Sequence, residues 1–337
     1  MPKVTNQAAE GSSVGTTQAD WGSLRSHCVS IMVSSPKDEV IASLRQRFGK
    51  LQKVRGSQSL FVVGDDAAHI YFRYSKLHPR NRTFFGLRQV DLRQLEGHNS
   101  FICFLLNDGS QPLFIPYEDF EEVFHNATAA ADGQYKVQLF SQNDARQLYV
   151  ARQGRFNVEG YVGLEILERS VDANRLRPAH DLSHSQVQTL LAGLGQIKGY
   201  DIFVPAADRQ KLDWSLTDQF SLLHDIPTGF EPIRNILSEV DVVWVKNGRN
   251  TVEALFEVEH STTIYSGLLR FNDLLLTEPG LARFSIVADD VRRSAFSRQV
   301  FRPTFRKSGL AELCSFLEYA NVVDWHARLS KWKSKSV

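Results

Sequence analysis

The 337-residue chain is poor in cysteine, has no long apolar run and carries almost no net charge, and each shortage excludes a class of protein. Its three cysteines, Cys28, Cys103 and Cys314, lie far apart, two of them in apolar runs. That excludes a disulfide framework or a cysteine zinc site and suits reduced thiols in a cytoplasmic protein. No apolar stretch approaches a membrane span, and the N-terminus has no signal-peptide core. The formal charge of +1 gives no global field for a polyanion. Glycine-rich phosphate loops and a Gly-x-Ser-x-Gly elbow are also missing, and no organic cofactor is implied. What remains, 42% hydrophobic and 23% charged residues, is a globular composition long enough for two domains.

Charge is distributed less evenly than its sum. Between Arg73 and Arg93 stand six basic residues (Arg73, Lys76, Arg80, Arg82, Arg88 and Arg93) against one acid, Asp91. The stretch Ile70–Arg88 interleaves them with aromatics, a pattern able to contact phosphates and stack on bases. The competing reading makes Tyr71, Phe72, Phe84 and Phe85 core residues and the arginines merely outward-facing. A second basic run covers Arg283–Lys307, and the C-terminus adds Arg328, Lys331, Lys333 and Lys335.

Three segments are expected. Residues 1–35, rich in Ser, Thr, Gly, Gln and Ala, read as a disordered arm. Residues 36–172 read as a mostly β, α+β module. It opens with a helix ending at Phe48, continues through strands at Ser59–Val63, His69–Tyr74, Thr83–Leu87, Phe101–Leu106, Leu113–Ile115, Tyr135–Phe140 and Tyr161–Leu167, and has a short helix after Pro116. A polar boundary over Ser170–Ser183 leads to an α/β domain over residues 183–330. Its expected order is helix Ser185–Ile197, strands Tyr200–Val204, Val240–Lys246 and Val252–Glu259, helix Thr263–Leu276, strand Arg283–Ala288, then helices Asp290–Val300 and Leu310–Tyr319.

The chemistry concentrates on two of these strands. Asp241 falls on one. Glu257 and Glu259 fall on the next, and period two points them to one face. Val252, Ala254, Phe256 and Val258 would form an apolar row on the other face. Acids at the end of a buried sheet carry a desolvation cost and suit Mg²⁺, which prefers oxygen ligands. Glu239 and Glu253 read as solvated, and Arg270 would either reach a phosphate or pair with an acid of the site. The His180–His184 segment, with Asp181 and Ser183 between, reads as a linker and helix cap.

The Asp241 strand, the Glu257-Val258-Glu259 triplet and the order of elements around them resemble the PD-(D/E)xK, or restriction-endonuclease-like, superfamily over roughly residues 183–320. The resemblance names no subfamily. It implies a central mixed sheet flanked by helices, with Asp241 and Glu257 as the two acids and Glu259 where lysine usually stands. It further implies catalysis and metal binding by Asp241, Glu257 and Glu259, with Mg²⁺ as cofactor and Mn²⁺ able to substitute. The activity implied is endonucleolytic hydrolysis of DNA of restriction or defence type. The N-terminal module would recognise the target through Arg73, Lys76, Arg80, Arg82 and Arg88, with Arg270 in the catalytic domain. A homodimer fits such a reaction. The alternative is a catalytically inactive nuclease-fold protein that binds nucleic acid or a protein partner, as the missing triplet lysine would suggest.

Overall fold

Short apolar runs separated by turn residues become strands, and capped amphipathic segments become helices, in the computed structural model. It describes residues 35–54, 57–64, 66–78, 83–142, 145–177, 180–248, 251–261, 263–281 and 283–335. The expected arm up to residue 34, and Arg80 and Arg82, lie outside them. From Ser35 onward the chain packs as one unit. No helix among the described residues is long and apolar enough to cross a membrane.

Ser35 starts helix α1 (Pro36–Phe48) with a reciprocal capping box to Asp38 and a proline in the first turn. Then come β1 (Leu51–Lys53), β2 (Leu60–Val63), β3 (Ala68–Ser75), β4 (Phe85–Arg88), helix α2 (Gln89–Arg93), β5 (Ser100–Leu106) and β6 (Leu113–Pro116). The segment after Pro116 makes a 3-10 turn and the short helix α3 (Glu121–Asn126). β7 (Gln134–Gln142), β8 (Ala145–Val150), β9 (Gly154–Asn157) and helix α4 (Glu165–Arg175) complete this half. The strands form two sheets, ordered β1-β2-β3-β5-β6 and β4-β7-β8-β9.

The strand expected at Tyr161–Leu167 is not formed: Tyr161 closes a 3-10 turn and Leu167 belongs to α4. Leu164, Leu167 and Val171 pack together on one core cluster, a helical spacing that the short window Tyr161–Leu167 cuts in two. Helix α4 also carries regular structure past Ser170, into the stretch expected to be a boundary.

The second half begins with helix α5 (His184–Ile197), capped by Ser183 and Gln186. It continues with β10 (Tyr200–Phe203), α6 (Arg234–Leu237), β11 (Val242–Lys246), β12 (Thr251–Val258), α7 (Ile264–Thr277), β13 (Phe284–Ala288), α8 (Arg293–Val300), α9 (Pro303–Ser308), β14 (Cys314–Glu318) and α10 (Tyr319–Lys335). The helix expected at Leu310–Tyr319 is replaced by a 3-10 turn, an edge strand and the first residue of α10. Cys314 and Phe316 pack on one face of the sheet and Leu317 on the other, a period of two that parallel pairing with β13 requires.

These five strands form a mixed sheet in the order β10-β11-β12-β13-β14, antiparallel through β12 and parallel beyond it. Helices α5 and α10 cover one face around Trp244, Trp325 and Phe256. Helices α7, α8 and α9 cover the other around Leu268, Phe271 and Phe305. The result is an α/β layer with a central mixed sheet between helices.

The halves meet through buried charge. Lys198 Nζ lies 2.8 Å from Glu96 and 2.9 Å from Glu121, and Arg283 donates to Glu96 at 2.7 Å. Arg283 is only 8% exposed, so the run Arg283–Lys307 is not a continuous basic surface. Burial alone would raise the Glu96 carboxyl, but Lys198 and Arg283 outweigh it and hold the group well below its ordinary value.

A candidate acidic active site

Asp241 immediately precedes β11 rather than lying within it, and Glu259 immediately follows β12. Both acids therefore sit where the sheet ends and side chains have room to reach a common ligand. Asp241 Oδ2 accepts from the Val258 backbone N–H at 2.7 Å and lies 3.3 Å from His184 Nε2. The first bond ties Asp241 to the strand that carries the two glutamates. Gln188 Nε2 donates to the Asp241 carbonyl at 3.2 Å.

The apolar row expected on β12 is broken. Pairing with β11 jumps between Trp244↔Ala254 and Val245↔Val252, so Glu253 is an extra residue, a bulge. Ala254, Phe256 and Val258 face α5 and α10, whereas Val252 packs on the opposite cluster. Glu253 is not solvated as expected; its side chain is 6% exposed and pairs with Arg93.

Past the bulge, period two holds. Glu257 and Glu259 face α7, each 3% exposed. Gly267 of α7 makes that packing possible: a Cβ there would stand 2.7 Å from Glu259 Oε1 and 3.2 Å from Glu257 Cβ. Burial, then the neighbouring charges of Asp241 and Glu259, push the Glu257 carboxyl up to about 8 against the opposing pull of Arg270. Arg270 Nη1 donates to Glu257 Oε2 at 2.6 Å, and its Nε lies 3.5 Å from Glu239. Arg270 thus pairs with acids of the site. Glu257 Oε1 is buried and has no hydrogen-bond partner.

This donor set fits a divalent cation. The oxygens are hard, one is orphaned, and the acids repel one another beyond what Arg270 offsets. Asp241, Glu257 and Glu259 do not close into a ready cage, however. Among the described residues, the triad whose ligand atoms all lie within 4.8 Å of one another is elsewhere, at Asp66, His69 and His98. An ion held by the three acids would keep part of its water shell, as Mg²⁺ usually does.

Sequence reasoning missed several neighbours. His184 and Gln188 stand four residues apart on α5, and both address Asp241. The Ser183–Gln186 capping box fixes the helix start and could have revealed that shared face. The hydrogen bond to Asp241 and its charge raise the His184 imidazole above its ordinary value against partial burial. Arg292 Nη1 donates to the carbonyls of Glu259 (2.5 Å) and His260 (3.0 Å). The Tyr319 hydroxyl is buried without a hydrogen-bond partner; burial first, then the charges of Asp289, Glu259 and Asp241, raise it to about 12 against the pull of Arg292. Neither Arg292 nor Tyr319 carries a local signal in the sequence.

The aromatic and basic stretch divides. Tyr71, Phe72 and Phe85 are core residues, while Tyr74 and Phe84 are exposed by 45% and 54%. Arg73 is half-buried over the Tyr71 ring at 5.4 Å. Lys76 and Arg88 are exposed, with Arg88 Nε 3.7 Å from Asp91.

Comparison with known proteins adds two findings. Residues 166–337, just over half of the chain, match the family described as the Type II restriction enzyme NmeDI C-terminal domain. A curated relative, the Type II restriction enzyme NmeDI of Neisseria meningitidis serogroup C, is 28% identical over 132 residues. That alignment covers 36% of this chain and 37% of the relative, so the chain spans little more than a third of it.

Proposed function

The chain belongs to the family of the Type II restriction enzyme NmeDI C-terminal domain, and from that membership and its acidic centre we propose that it is a Mg²⁺-dependent DNA endonuclease of restriction or defence type. In this reading the β10–β14 layer is a restriction-endonuclease-like fold with a PD-(D/E)xK-type site in which Glu259 replaces the triplet lysine. The observation that carries the proposal is the Asp241–Val258 hydrogen bond, which holds one acid beside the strand bearing Glu257 and Glu259.

Asp241, Glu257 and Glu259 would hold the ion, which when bound supplies Lewis acidity toward the phosphate and lowers the pKa of its water. The protein's own groups do the rest. Val258 N–H and His184 fix the Asp241 carboxylate, so its free oxygen needs little reorganisation. Arg270 holds one oxygen of Glu257 and leaves the orphaned one for a ligand. Glu259, in the lysine's place, accepts a proton from an attacking water or adds a ligand. Exposed Tyr74, Lys76, Phe84 and Arg88, with the neighbouring Arg73, Arg80 and Arg82, would engage DNA through phosphates and stacking. Duplex cleavage often uses two centres, which a homodimer would supply.

The test is Mg²⁺- or Mn²⁺-dependent cleavage of methylated and unmethylated genomic DNA and of plasmid. Asp241→Asn and Glu257→Gln are expected to lower the rate at least about 100-fold while DNA binding persists. Full activity in either variant would refute the site. No cleavage of any substrate by the wild type, with binding retained, would favour a non-catalytic DNA-binding protein; the Arg270–Glu257 ion pair, which occupies one metal-facing acid, is what lends that reading weight.

A further inference from the structure

We propose that Asp66, His69 and His98 form a binding site for a divalent transition-metal ion, distinct from the acidic centre at Glu257. One carboxylate oxygen and one imidazole nitrogen from each histidine already lie within 4.8 Å of one another. Imidazole donors select zinc, cobalt or nickel over magnesium, whereas the all-carboxylate set at Asp241, Glu257 and Glu259 selects the reverse. Three protein ligands leave a position for water.

The chain holds each ligand in place. His69 lies on β3, is 5% exposed, and has its Nδ1 buried without a partner. Its Nε2 is 2.6 Å from Asp66 Oδ1. Asp66 itself takes a left-handed backbone with φ of 68°, a conformation that costs energy and that aspartate tolerates better than most residues. His98 follows Gly97, where φ is 77° and a Cβ would come within 2.8 Å of the Trp325 ring. That close approach seats the His98 ring on His69, with centroids 4.1 Å apart.

A second layer orients the donors. Arg293 of α8 donates to Asp66 Oδ2 at 2.6 Å and leaves Oδ1 to face His69. The same guanidinium pairs with Asp290 and Glu318, so acids outnumber it and the neighbourhood stays receptive to a cation. Asp66 also lines a cavity with Lys50, Gly64, Arg293 and Glu318, which gives an ion a path in. The bound ion would take the place of the hydrogen bond between Asp66 Oδ1 and His69 Nε2, with His69 ligating as a neutral imidazole. The ion would tie the loop before β3 to β3 and to the segment after α2, and the Arg293–Asp66 pair links that loop to α8.

The experiment uses the full chain stripped with chelator. Calorimetry with Zn²⁺ and visible absorption with Co²⁺ are expected to show one ion per chain, with cobalt bands typical of nitrogen and oxygen ligands and a raised Tm. Excess Mg²⁺ should not displace it. His98→Gln and Asp66→Asn, checked for folding by circular dichroism, are each expected to weaken binding at least about tenfold. Glu257→Gln should bind zinc as the wild type does, which separates this site from the acidic centre. Absence of stoichiometric zinc and cobalt binding by the wild type, or undiminished binding in both folded variants, would overturn the proposal.

Discussion

At the scale of single residues the acidic centre shows how packing, rather than charge count, sets chemistry. Glu257 is a buried acid with one oxygen tied to Arg270 and the other unpartnered. Glu259 is held against α7 because Gly267 presents no side chain there. Gly267→Ala should therefore separate activity from stability. Alanine favours a helix over glycine by up to about 1 kcal/mol, and the atom it meets first is the movable end of Glu259. Unfolding in urea is expected to change by less than that amount. The cleavage rate is expected to fall tenfold or more, since roughly 1 Å of displacement at a reacting centre can cost about 100-fold. Loss of stability equal to the loss of activity would contradict this assignment. That Glu257 and Glu259 share a face was legible from period two alone. The sequence leaves open whether Arg270 reaches a phosphate or pairs with an acid of the site, because it does not say how α7 lies across β12; the structure pairs it with Glu257.

At the scale of elements, spacing was a good guide where a segment was long or capped. Helices α5 and α7 form within a residue of the expected Ser185–Ile197 and Thr263–Leu276. It failed where a window held only a few residues. Leu310–Tyr319 reads as helix by composition, yet its middle is the edge strand β14, recruited by pairing with β13. The bulge at Glu253 was equally invisible, because a single unpaired residue leaves no periodic mark; its buried pairing with Arg93 belongs to tertiary structure. Helix α5 is fastened to β11 by Trp244, whose Nε1 donates to the Leu191 carbonyl at 3.0 Å in a fully buried setting. Trp244→Phe is expected to cost about 0.5–1.5 kcal/mol, the net worth of one hydrogen bond to a carbonyl that keeps its place in the α5 ladder, plus a packing loss, measured by urea unfolding. A change near zero would mean that the carbonyl finds another donor.

At the scale of the whole molecule, buried charge joins the N-terminal sheets to the mixed sheet. Lys198 neutralises Glu96 and Glu121 together, and Trp325 Nε1 also donates to Glu121 at 3.0 Å. Lys198→Met leaves two buried acids without their shared cation and is expected to cost about 3–5 kcal/mol, read as a fall in the denaturant midpoint. The network also makes stability depend on pH. The Glu96 carboxyl is depressed in the folded chain relative to its ordinary value of 4.5. Its contribution is therefore complete above that pH and is lost as the pH falls below it. Glu96→Gln should flatten the acid side of the stability profile below about pH 4.5. A profile with unchanged slope would assign acid sensitivity to other carboxylates.

The sequence by itself determined the globular class, most of the strands and long helices, and the nearness in chain of Asp241, Glu257 and Glu259. Those features follow from local physics: side-chain period, capping and turn residues act over a few positions and leave their mark in order. Only the tertiary structure decided that β14 is a strand, that Glu253 is a bulge, that Arg283 is buried, and that Asp66, His69 and His98 meet. Each of these depends on segments brought together by core packing from far along the chain, and no local pattern encodes which distant surface a residue will face. The acidic strand pair was visible as chemistry from the sequence, whereas the hold of His184, Gln188, Arg270 and Gly267 on it belongs to the fold.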